Sequence, residues 1–404
     1  MFIVISVFFY GRMIMNKKAE VAERAALITA TVKHEKTERI PIMSNAWNWK
    51  VYDAGFTLSE ALYNQKKYTK VLKHYFDNYP ADFMFETGSR NPFVYTQYLG
   101  SDKRYIIDDE KKIMNDVDES YLEPDEYDEL INDPMKFIWE KFLPRKCPNL
   151  KQEKNGKVYI DSMYAYINWL NGYLGYGKTL AKNYGVPLLT DLYAPFYMMN
   201  GMEIMLDFMR GMRGLSVDLR RQPEKVKAAV EALDSIFEPK MEGYAGPHGH
   251  NPDAAFDGAM VFIATSMLSP KQFETFYLPW LNRTKDFAVE HDKTVIIFAE
   301  AENSRFYEFL KDLPEGHFAI LAEQDDIFNT KKELPNLCVC GGMPVELLGK
   351  ATPEECVDYA KKLIDELAVD GGYIYSEKKM MSYMTDCKSE NLKAVTEFVH
   401  DFRI

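Results

Sequence analysis

The sequence predicts an α/β fold, and within that class a closed (β/α)8 barrel with extra N-terminal helices. Three observations lead to this prediction. The chain has 404 residues, 47% of them apolar, which is enough to bury one large core. No Gly/Ser-rich or Pro-rich linker divides the chain. Its second half alternates short apolar runs with longer helical patterns, an order typical of a parallel sheet wrapped by helices.

Short apolar or β-branched runs predict the strands of this sheet. Two lie in the first half of the chain, at 39–43 and 82–86, and four in the second half, at 295–298, 317–321, 337–340 and 371–375. Strands that recur every few tens of residues with helices between them favour a closed barrel over an open doubly wound sheet.

Two helices have complete start signals. Ser269 and Thr352 are hydroxyl caps, each is followed by proline at the first helical position, and Gln272 and Glu355 stand at the third position. Helical periodicity also predicts helices over 20–32 and 59–79.

We expect one barrel domain over residues 15–404. Residues 1–14 contain an apolar run without preceding basic residues or a following cleavage site, so we expect a non-native or disordered extension rather than a signal peptide. The segment from about 108 to 150 is rich in carboxylates and broken by prolines. We interpret it as a solvated insertion outside the barrel, with an acidic docking face for a basic partner as the alternative.

The charge and the cysteines exclude several classes of protein. With 49 basic and 61 acidic side chains, the net charge of −12 repels phosphate polyanions, so a nucleic-acid binder is not expected. The longest apolar run, 2–10, is too short to span a bilayer. Five cysteines in so long a chain do not form a disulfide framework, which indicates a reducing cytoplasm.

Acidic side chains follow two neighbouring predicted strands. Glu300 and Glu302 come directly after one strand, and Glu323 after the next. Because the carboxyl ends of barrel strands face the active site, these carboxylates are expected to converge on one mouth. There they would bind a cation or transfer a proton. The alternative, acids that stabilise helix N-termini, accounts better for Asp325 and Asp326 than for Glu300.

Soft metal donors lie near these acids in the predicted fold. Cys338 and Cys340 end a further strand and, by alternation, point to the same side, either into the barrel or toward the helices. They are candidates for a zinc site or for ordinary small core residues. The candidate ligands for zinc or another divalent metal are Glu300, Glu302, Cys338, Cys340 and His248, although His248 also fits a solvated turn.

Two further patterns are weaker. Residues 172–179 match the phosphate-loop motif G-x-x-x-x-G-K-[ST], but no apolar strand precedes them and only a short helix can follow, so a nucleotide-dependent enzyme ranks last. Aromatic residues near predicted strand ends are candidates to line a substrate pocket, namely Trp47, Trp49, Tyr193 and Phe196.

Short stretches in a fixed order along the chain resemble one enzyme superfamily. They are 39–42, 133–134, 143–145, 208–211, 218–226, 267–270, 276–281, 341–344, 351–355, 371–374 and 390–392. The series resembles the uroporphyrinogen decarboxylase superfamily, and in particular its corrinoid-linked methyltransferase branch from anaerobes. This resemblance implies a (β/α)8 barrel that covers nearly everything from Met15 onward.

The chain departs from both branches at the residues that carry their chemistry. Heme-pathway decarboxylases have Arg-Gln-Ala-Gly-Arg, Phe-Ser-Asp and Gly-His-Gly segments, where this chain has 44–49, 83–87 and 375–379, with Glu86 loosely in the place of the aspartate. The main clamp on substrate carboxylates is therefore absent. The methyltransferase branch binds zinc through a His-x-Cys pair, and the corresponding stretch here, 298–302, contains none.

The leading hypothesis is a cytoplasmic methyltransferase that moves a methyl group between a small donor or acceptor and the cobalt of a corrinoid carried by a partner protein. Glu300 and Glu323 would be metal ligands or proton donors. One alternative is a decarboxylase of a porphyrinogen or another carboxylated substrate, with Glu86 as the acid. Another is a non-catalytic protein that binds a corrinoid or tetrapyrrole.

Overall fold

The strands form a parallel sheet and one separate hairpin. The computed structural model describes residues 2–85, 98–100, 105–152, 156–190, 196–198, 200–237 and 248–404. The strands are β1 Met43–Ser44, β2 Phe83–Met84, β3 Tyr105–Asp108, β4 Ile113–Asp116, β5 Phe196–Met198, β6 Gly258–Phe262, β7 Val295–Ala299, β8 Phe318–Ala322, β9 Cys338–Met343 and β10 Tyr373–Glu377. Strands β5 to β10 form a six-stranded parallel sheet in sequential order, and β3 pairs with β4 in an antiparallel hairpin.

The pair β1 and β2 extends this sheet to eight parallel strands. β1 pairs with β2 in parallel, and a bridge between Ile42 and Tyr375 joins the pair to β10. The Tyr375 N–H donates to the Pro41 carbonyl at 3.0 Å. The α/β class and the parallel sheet are therefore confirmed. Closure of the barrel stays a prediction, because no ladder between β2 and β5 occurs in the described part of the chain.

The sheet separates two apolar cores. Val295 and Ile297 of β7 pack in the larger core, under the helices, whereas Ile296 and Phe298 face a second cluster on the opposite side. Strands from both ends of the strand order contribute to this second cluster. The Phe83 ring of β2 lies 5.8 Å from the ring of Phe256, just before β6. The sheet therefore curves around this cluster, which we call the interior core.

Helices surround the sheet. The α-helices are Phe2–Val32, Trp49–Asp53, Leu58–Leu62, Gln65–Asn78, Tyr127–Asn132, Pro134–Phe137, Leu143–Lys146, Lys157–Tyr184, Gly201–Ile204, Gly211–Arg221, Pro223–Phe237, Pro270–Phe276, Leu278–Glu290, Tyr307–Leu310, Ile327–Glu333, Val345–Lys350, Pro353–Leu367 and Ser389–Asp401. Shorter π or 3-10 segments are Ile138–Phe142, Pro148–Gln152, Met205–Arg210, Ala264–Met267, Ser304–Phe306 and Met384–Asp386. Among the described helices, none has both the length and the apolar character needed to cross a membrane.

The predicted helix starts are confirmed. The Ser269 and Thr352 side chains accept hydrogen bonds from the N–H groups of Gln272 and Glu355, and both capping boxes are complete. Residues 2–14 belong to the helix Phe2–Val32, and the proposed division at residue 15 stays a prediction.

The acidic segment is less solvated than its composition suggested. Leu122, Tyr127 and Leu130 are buried in the larger core. Glu126 is buried as well and binds Arg145 at 2.6 Å, which lowers the pKa of Glu126 to about 2. Apolar residues spaced among the acids therefore anchor this stretch to the larger core, while the assignment of 108–150 as an insertion outside the barrel stays a prediction.

The interpretation of residues 172–179 as a phosphate loop, which the sequence analysis ranked last, is wrong. Residues 172–179 lie inside the helix Lys157–Tyr184, where the backbone N–H groups are not arranged in a loop around an anion. Two of its three glycines have a packing role instead. A Cβ on Gly172 would lie 2.2 Å from the Gln65 side chain, and one on Gly177 would lie 2.5 Å from Leu188.

A buried carboxylate joins β1 and β2 at their amino ends. Asp82 is 1% exposed and accepts two hydrogen bonds from Arg39, at 2.6 and 2.7 Å, and one from the Ile42 N–H at 2.8 Å. These bonds compensate the cost of burying the charge, since every donor faces an acceptor.

We predict that Asp82→Asn lowers the free energy of unfolding by about 3 kcal/mol, because it leaves Arg39 without its partner in a buried setting. Urea denaturation followed by circular dichroism measures this change. The matched control is Glu60→Gln, which breaks the solvent-exposed Lys67–Glu60 pair. It is expected to leave the denaturation midpoint unchanged, because exposed ion pairs contribute little. Equal effects of the two substitutions would contradict the prediction.

Candidate functional site

Two glutamates stand side by side at the carboxyl edge of the sheet. Glu300 follows β7 and Glu323 follows β8, and the Glu323 N–H donates to the Ala299 carbonyl at 3.0 Å. Phe298 and Leu321, two positions earlier on each strand, face the interior core. By alternation both glutamates face the interior side, on strands about 4.8 Å apart. Glu300 is exposed, whereas Glu323 is only 8% exposed.

A loop after β10 joins Glu323 to the first strand. The Glu323 carboxylate accepts the Met380 N–H at 2.9 Å, and the next N–H, of Met381, donates to the Asn45 carbonyl at 3.0 Å. The Asn45 N–H in turn donates to the Glu377 carboxylate at 2.7 Å. These bonds place Asn45 and Glu323 at the same edge of the sheet, although they belong to strands far apart in the sequence.

The Asn45 side chain is buried without a partner. It is 2% exposed, and neither its amide nitrogen nor its amide oxygen makes a hydrogen bond to the described residues. A buried amide without a partner costs about 1–3 kcal/mol, so such groups usually meet ordered water or a ligand. Because Asn45 lies directly after β1, this unpaired amide is at the carboxyl edge of the sheet, where it could hydrogen-bond to a ligand.

Other buried carboxyl groups hold the loops around this mouth. Asp325 accepts the N–H groups of Asn303 and Ser304 at 3.0–3.1 Å, which positions the loop after β7. Burial raises the pKa of Asp325 to about 6 and that of Glu377 to about 7. Because both groups bind backbone N–H groups inside the protein, they support the site rather than line it.

Glu203 has the same role after β6. It is fully buried on the helix Gly201–Ile204 and accepts the N–H groups of Ile263 and Ala264 at 2.9–3.1 Å. The Tyr277 hydroxyl also donates to it. Burial raises the pKa of Glu203 to about 8, so near neutral pH this carboxyl group retains its proton in the folded protein.

The candidate metal ligands do not come together. Cys338 and Cys340 point into the interior core, among side chains such as Phe298 and Ile374. Burial raises the pKa of the Cys340 thiol well above its usual value, which disfavours the thiolate that zinc requires. The sequence did not determine which side of the sheet Cys338 and Cys340 face. The curvature of the sheet places them inside.

The other candidate ligands, His248 and Glu302, do not join a common metal site either. The N–H of Gly249, next to His248, donates to the His291 carbonyl, which precedes β7, whereas Glu300 follows β7. Five residues of strand, ~17 Å, therefore separate the two ends. Glu302 is exposed and binds Arg305 at 3.0 Å. Within the described ranges, no three His, Cys, Asp or Glu side chains are grouped as a metal site.

Of the four aromatic residues predicted to line a pocket, the structure describes the side chains of Trp47 and Trp49. Trp49 is 2% exposed, donates to the Cys387 carbonyl at 2.9 Å and packs against Tyr79, so it belongs to the core and was wrongly placed in a pocket. Trp47 is half-buried next to Asn45. Glu86 and Tyr193, and the side chain of Phe196, lie outside the described residues.

Sequence reasoning missed Asn45 and Phe85. Phe85 follows β2, is 8% exposed and stacks on Phe298 at 5.1 Å, so it covers the interior core at the mouth. Asn45 lies just beyond the predicted strand 39–43 and Phe85 near the end of the predicted strand 82–86, and this closeness to strand ends was the available signal.

A separate cavity lies away from the glutamate pair. It has a volume of about 490 Å³ and is bounded by the helix Gly211–Arg221 and the segment 118–124. Its most buried cation, Arg210, is paired with Asp218 at 2.6 Å, and Asp118 accepts the Met212 N–H at the start of the helix. The charges of these residues are therefore matched within the protein.

The fold and the mouth define an α/β protein with eight parallel strands and an acidic site at their carboxyl ends. Residues 177–402, more than half of the chain, match the sequence profile of the family described as uroporphyrinogen decarboxylase (URO-D). The protein therefore belongs to the uroporphyrinogen decarboxylase family.

A solved structure supports the fold across nearly the whole chain. A methyltransferase from Methanosarcina mazei is similar with a TM-score of 0.57, over 94% of this chain and 98% of that chain. The two sequences are 14% identical, so the similarity concerns the fold alone. No curated protein matches the chain in sequence.

We predict that Glu203→Gln flattens the pH dependence of stability. The raised pKa of Glu203 means that the folded protein keeps a proton which the unfolded chain releases above its ordinary value of 4.5. The stability of the native protein should therefore fall between about pH 5 and pH 8, by an amount on the order of a few kcal/mol from this group.

Thermal denaturation across this pH range, compared between the native protein and Glu203→Gln, measures the effect. The exposed Glu274→Gln on a neighbouring helix is the control and should keep the native slope. An unchanged slope in Glu203→Gln would show that Glu203 is ionised in the folded protein.

Proposed function

We propose that the protein is a methyltransferase that moves a methyl group between a small molecule and the cobalt of a corrinoid carried by a partner protein. Membership of the URO-D family and the similar fold of a methyltransferase support an enzyme of this type. The observation that carries the proposal is the pair Glu300 and Glu323 at the carboxyl edge of the sheet, where barrel enzymes place their catalytic groups.

An acidic mouth disfavours a porphyrinogen as the substrate. A tetrapyrrole with many carboxylates would be repelled by an ionised Glu300, and it needs guanidinium groups to hold it. The segment at the end of β1, residues 44–49, contains no arginine or lysine, and the next residue is Lys50. The Lys50 ammonium is buried and donates to the carbonyls of Ala46 and Trp47 at 3.0 and 2.9 Å, so it stabilises the turn.

The carboxyl group of Glu323 fits the role of a proton donor. The Met380 N–H binds one of its oxygens and fixes its orientation, and its burial excludes most bulk water. When a methyl–oxygen or methyl–nitrogen bond breaks, the electron pair stays on the oxygen or nitrogen, which takes the proton from Glu323. A bound corrinoid would supply reduced cobalt, whose electron pair forms the new bond to the methyl carbon. The Asn45 amide would bind a polar group on the rest of the substrate.

We predict that Glu323→Gln lowers kcat for methyl transfer about 100-fold, because the amide keeps the hydrogen bond from Met380 but cannot donate a proton as an acid. The assay follows methyl transfer to free reduced cobalamin from methoxylated aromatics, methylamines and thiols. The matched control is Glu315→Gln, which lies before β8, at the opposite end of the same strand, and is exposed. It should keep the native rate.

Three results would contradict the proposal. One is the absence of methyl transfer from every donor class. Another is release of carbon dioxide from a carboxylated substrate, which would identify a decarboxylase. The third is tight binding of a coloured corrinoid or tetrapyrrole without turnover, which would identify a binding protein.

A further inference from the structure

The cavity between the helix Gly211–Arg221 and the segment 118–124 is large enough to hold a small organic molecule. Its volume of about 490 Å³ lies within the range of ligand pockets in proteins. Arg213, Val217 and Arg221 all line it, and because they follow each other at a spacing of four residues, they share one face of the helix. The glutamate pair is not part of this cavity, so the proposed methyl transfer does not use it.

A buried guanidinium group forms part of the cavity wall. Arg210 is 8% exposed, and its Nε donates to Asp218 at 2.6 Å. Its Nη1 donates to the Ser120 hydroxyl and to the Leu122 carbonyl, both at 2.9 Å. The third nitrogen, Nη2, makes no hydrogen bond to the described residues, and it is not enclosed by them. The orientation of this guanidinium group is therefore fixed, and the two N–H groups of Nη2 are available to a ligand.

A glycine of the same helix makes room for this guanidinium group. A Cβ at position 214 would lie 2.8 Å from both the Nε and the Cζ atoms of Arg210, closer than such atoms approach in proteins. The guanidinium group therefore lies directly against the helix backbone at Gly214. Any larger residue at this position would displace Arg210 from the cavity wall, so the glycine and the three hydrogen bonds together hold the cation in place.

The two other arginines of the cavity are unpaired within the described part of the chain. Arg213 and Arg221 are exposed, and neither guanidinium group makes a hydrogen bond or an ion pair to the described residues. Eight residues of helix, ~12 Å, separate their backbones, and Val217 lies midway between them. The helix face thus presents a cation on each side of an apolar side chain.

The acidic side chains of the cavity already have partners within the protein. Asp118 accepts two backbone N–H groups at the start of the helix. Asp218 is paired with Arg210, and Glu119 accepts the hydroxyl of Tyr121. The carboxylates are thus bound to donors of the protein, whereas guanidinium N–H groups of three arginines are left over. A wall with unused donors of this kind suits an anionic ligand.

We propose that this cavity binds a small organic anion, whose carboxylate or phosphate group is held by Arg210, Arg213 and Arg221 and whose apolar part rests on Val217. Guanidinium groups suit this role because their planar array of N–H donors matches the oxygens of a carboxylate or a phosphate in pairs. The bound anion would connect the helix to the segment 118–124, to which Arg210 is hydrogen-bonded.

Isothermal titration calorimetry of the full chain at low ionic strength tests this proposal. The two probes are glutarate and glycerol 3-phosphate, and the tighter binder identifies the anionic group that the cavity prefers. The double variant Arg213→Gln/Arg221→Gln should weaken binding of that probe about tenfold or more, because it removes two of the three guanidinium groups. The matched control is Arg220→Gln, which changes an exposed arginine of the same helix that does not line the cavity, and it should bind as the native protein does.

Thermal denaturation provides a second readout, because a ligand that binds only the folded protein raises its melting temperature. The preferred probe should raise the melting temperature of the native protein and of Arg220→Gln, but not that of the double variant. Circular dichroism checks that the double variant is folded, and each single variant should show a smaller loss of binding. The proposal is overturned if neither probe binds the native protein, if the double variant binds as tightly, or if Arg220→Gln loses binding to the same extent.

Discussion

Buried carboxyl groups that accept hydrogen bonds from loop N–H groups hold the ends of the strands in place. Asp82 binds the Ile42 N–H at the amino edge, and Glu203, Asp325 and Glu377 bind loop N–H groups at the carboxyl edge. An N–H at a strand end has lost its ladder partner, and leaving it unpaired in the core is costly. Each carboxyl group supplies the missing acceptor, and the price is its own desolvation, which raises the pKa of the three groups at the carboxyl edge.

This constraint separates supporting carboxyl groups from those able to act on a substrate. Glu203 and Glu377 have their oxygens turned toward backbone donors within the protein. Glu323 also binds one backbone N–H, but alternation places it on the interior side beside Glu300. Carboxyl groups at this edge therefore have two roles: some hold loops in place, and Glu323 faces the interior side. The supporting groups fix the loops on which the proposed proton donor depends, and a rigid support is what acid catalysis requires.

The interior core surrounds the two cysteines of the candidate zinc site. Alternation predicted correctly that Cys338 and Cys340 share a side, but their chemistry depends on what surrounds them. Phe85 and Phe298, whose rings are 5.1 Å apart, belong to the same buried cluster as the two thiols, so the thiols behave as small apolar side chains. The histidine of the candidate set lies at the amino side of the sheet, a full strand away. The spacing of these residues along the chain does not show how far apart they lie in the folded protein.

The sequence by itself determined the α/β class, the two capped helices, the approximate positions of β7 to β10, and the acids after β7 and β8, but not β6. These features depend on local periodicity and on contacts a few residues apart. Only the tertiary structure decided which carboxyl groups support loops, that Trp49 is buried, and that Asn45 lies at the mouth. The physical reason is distance in sequence. The bond from Asn45 to Glu377 spans 332 residues, and pairing between strands so far apart leaves no local pattern.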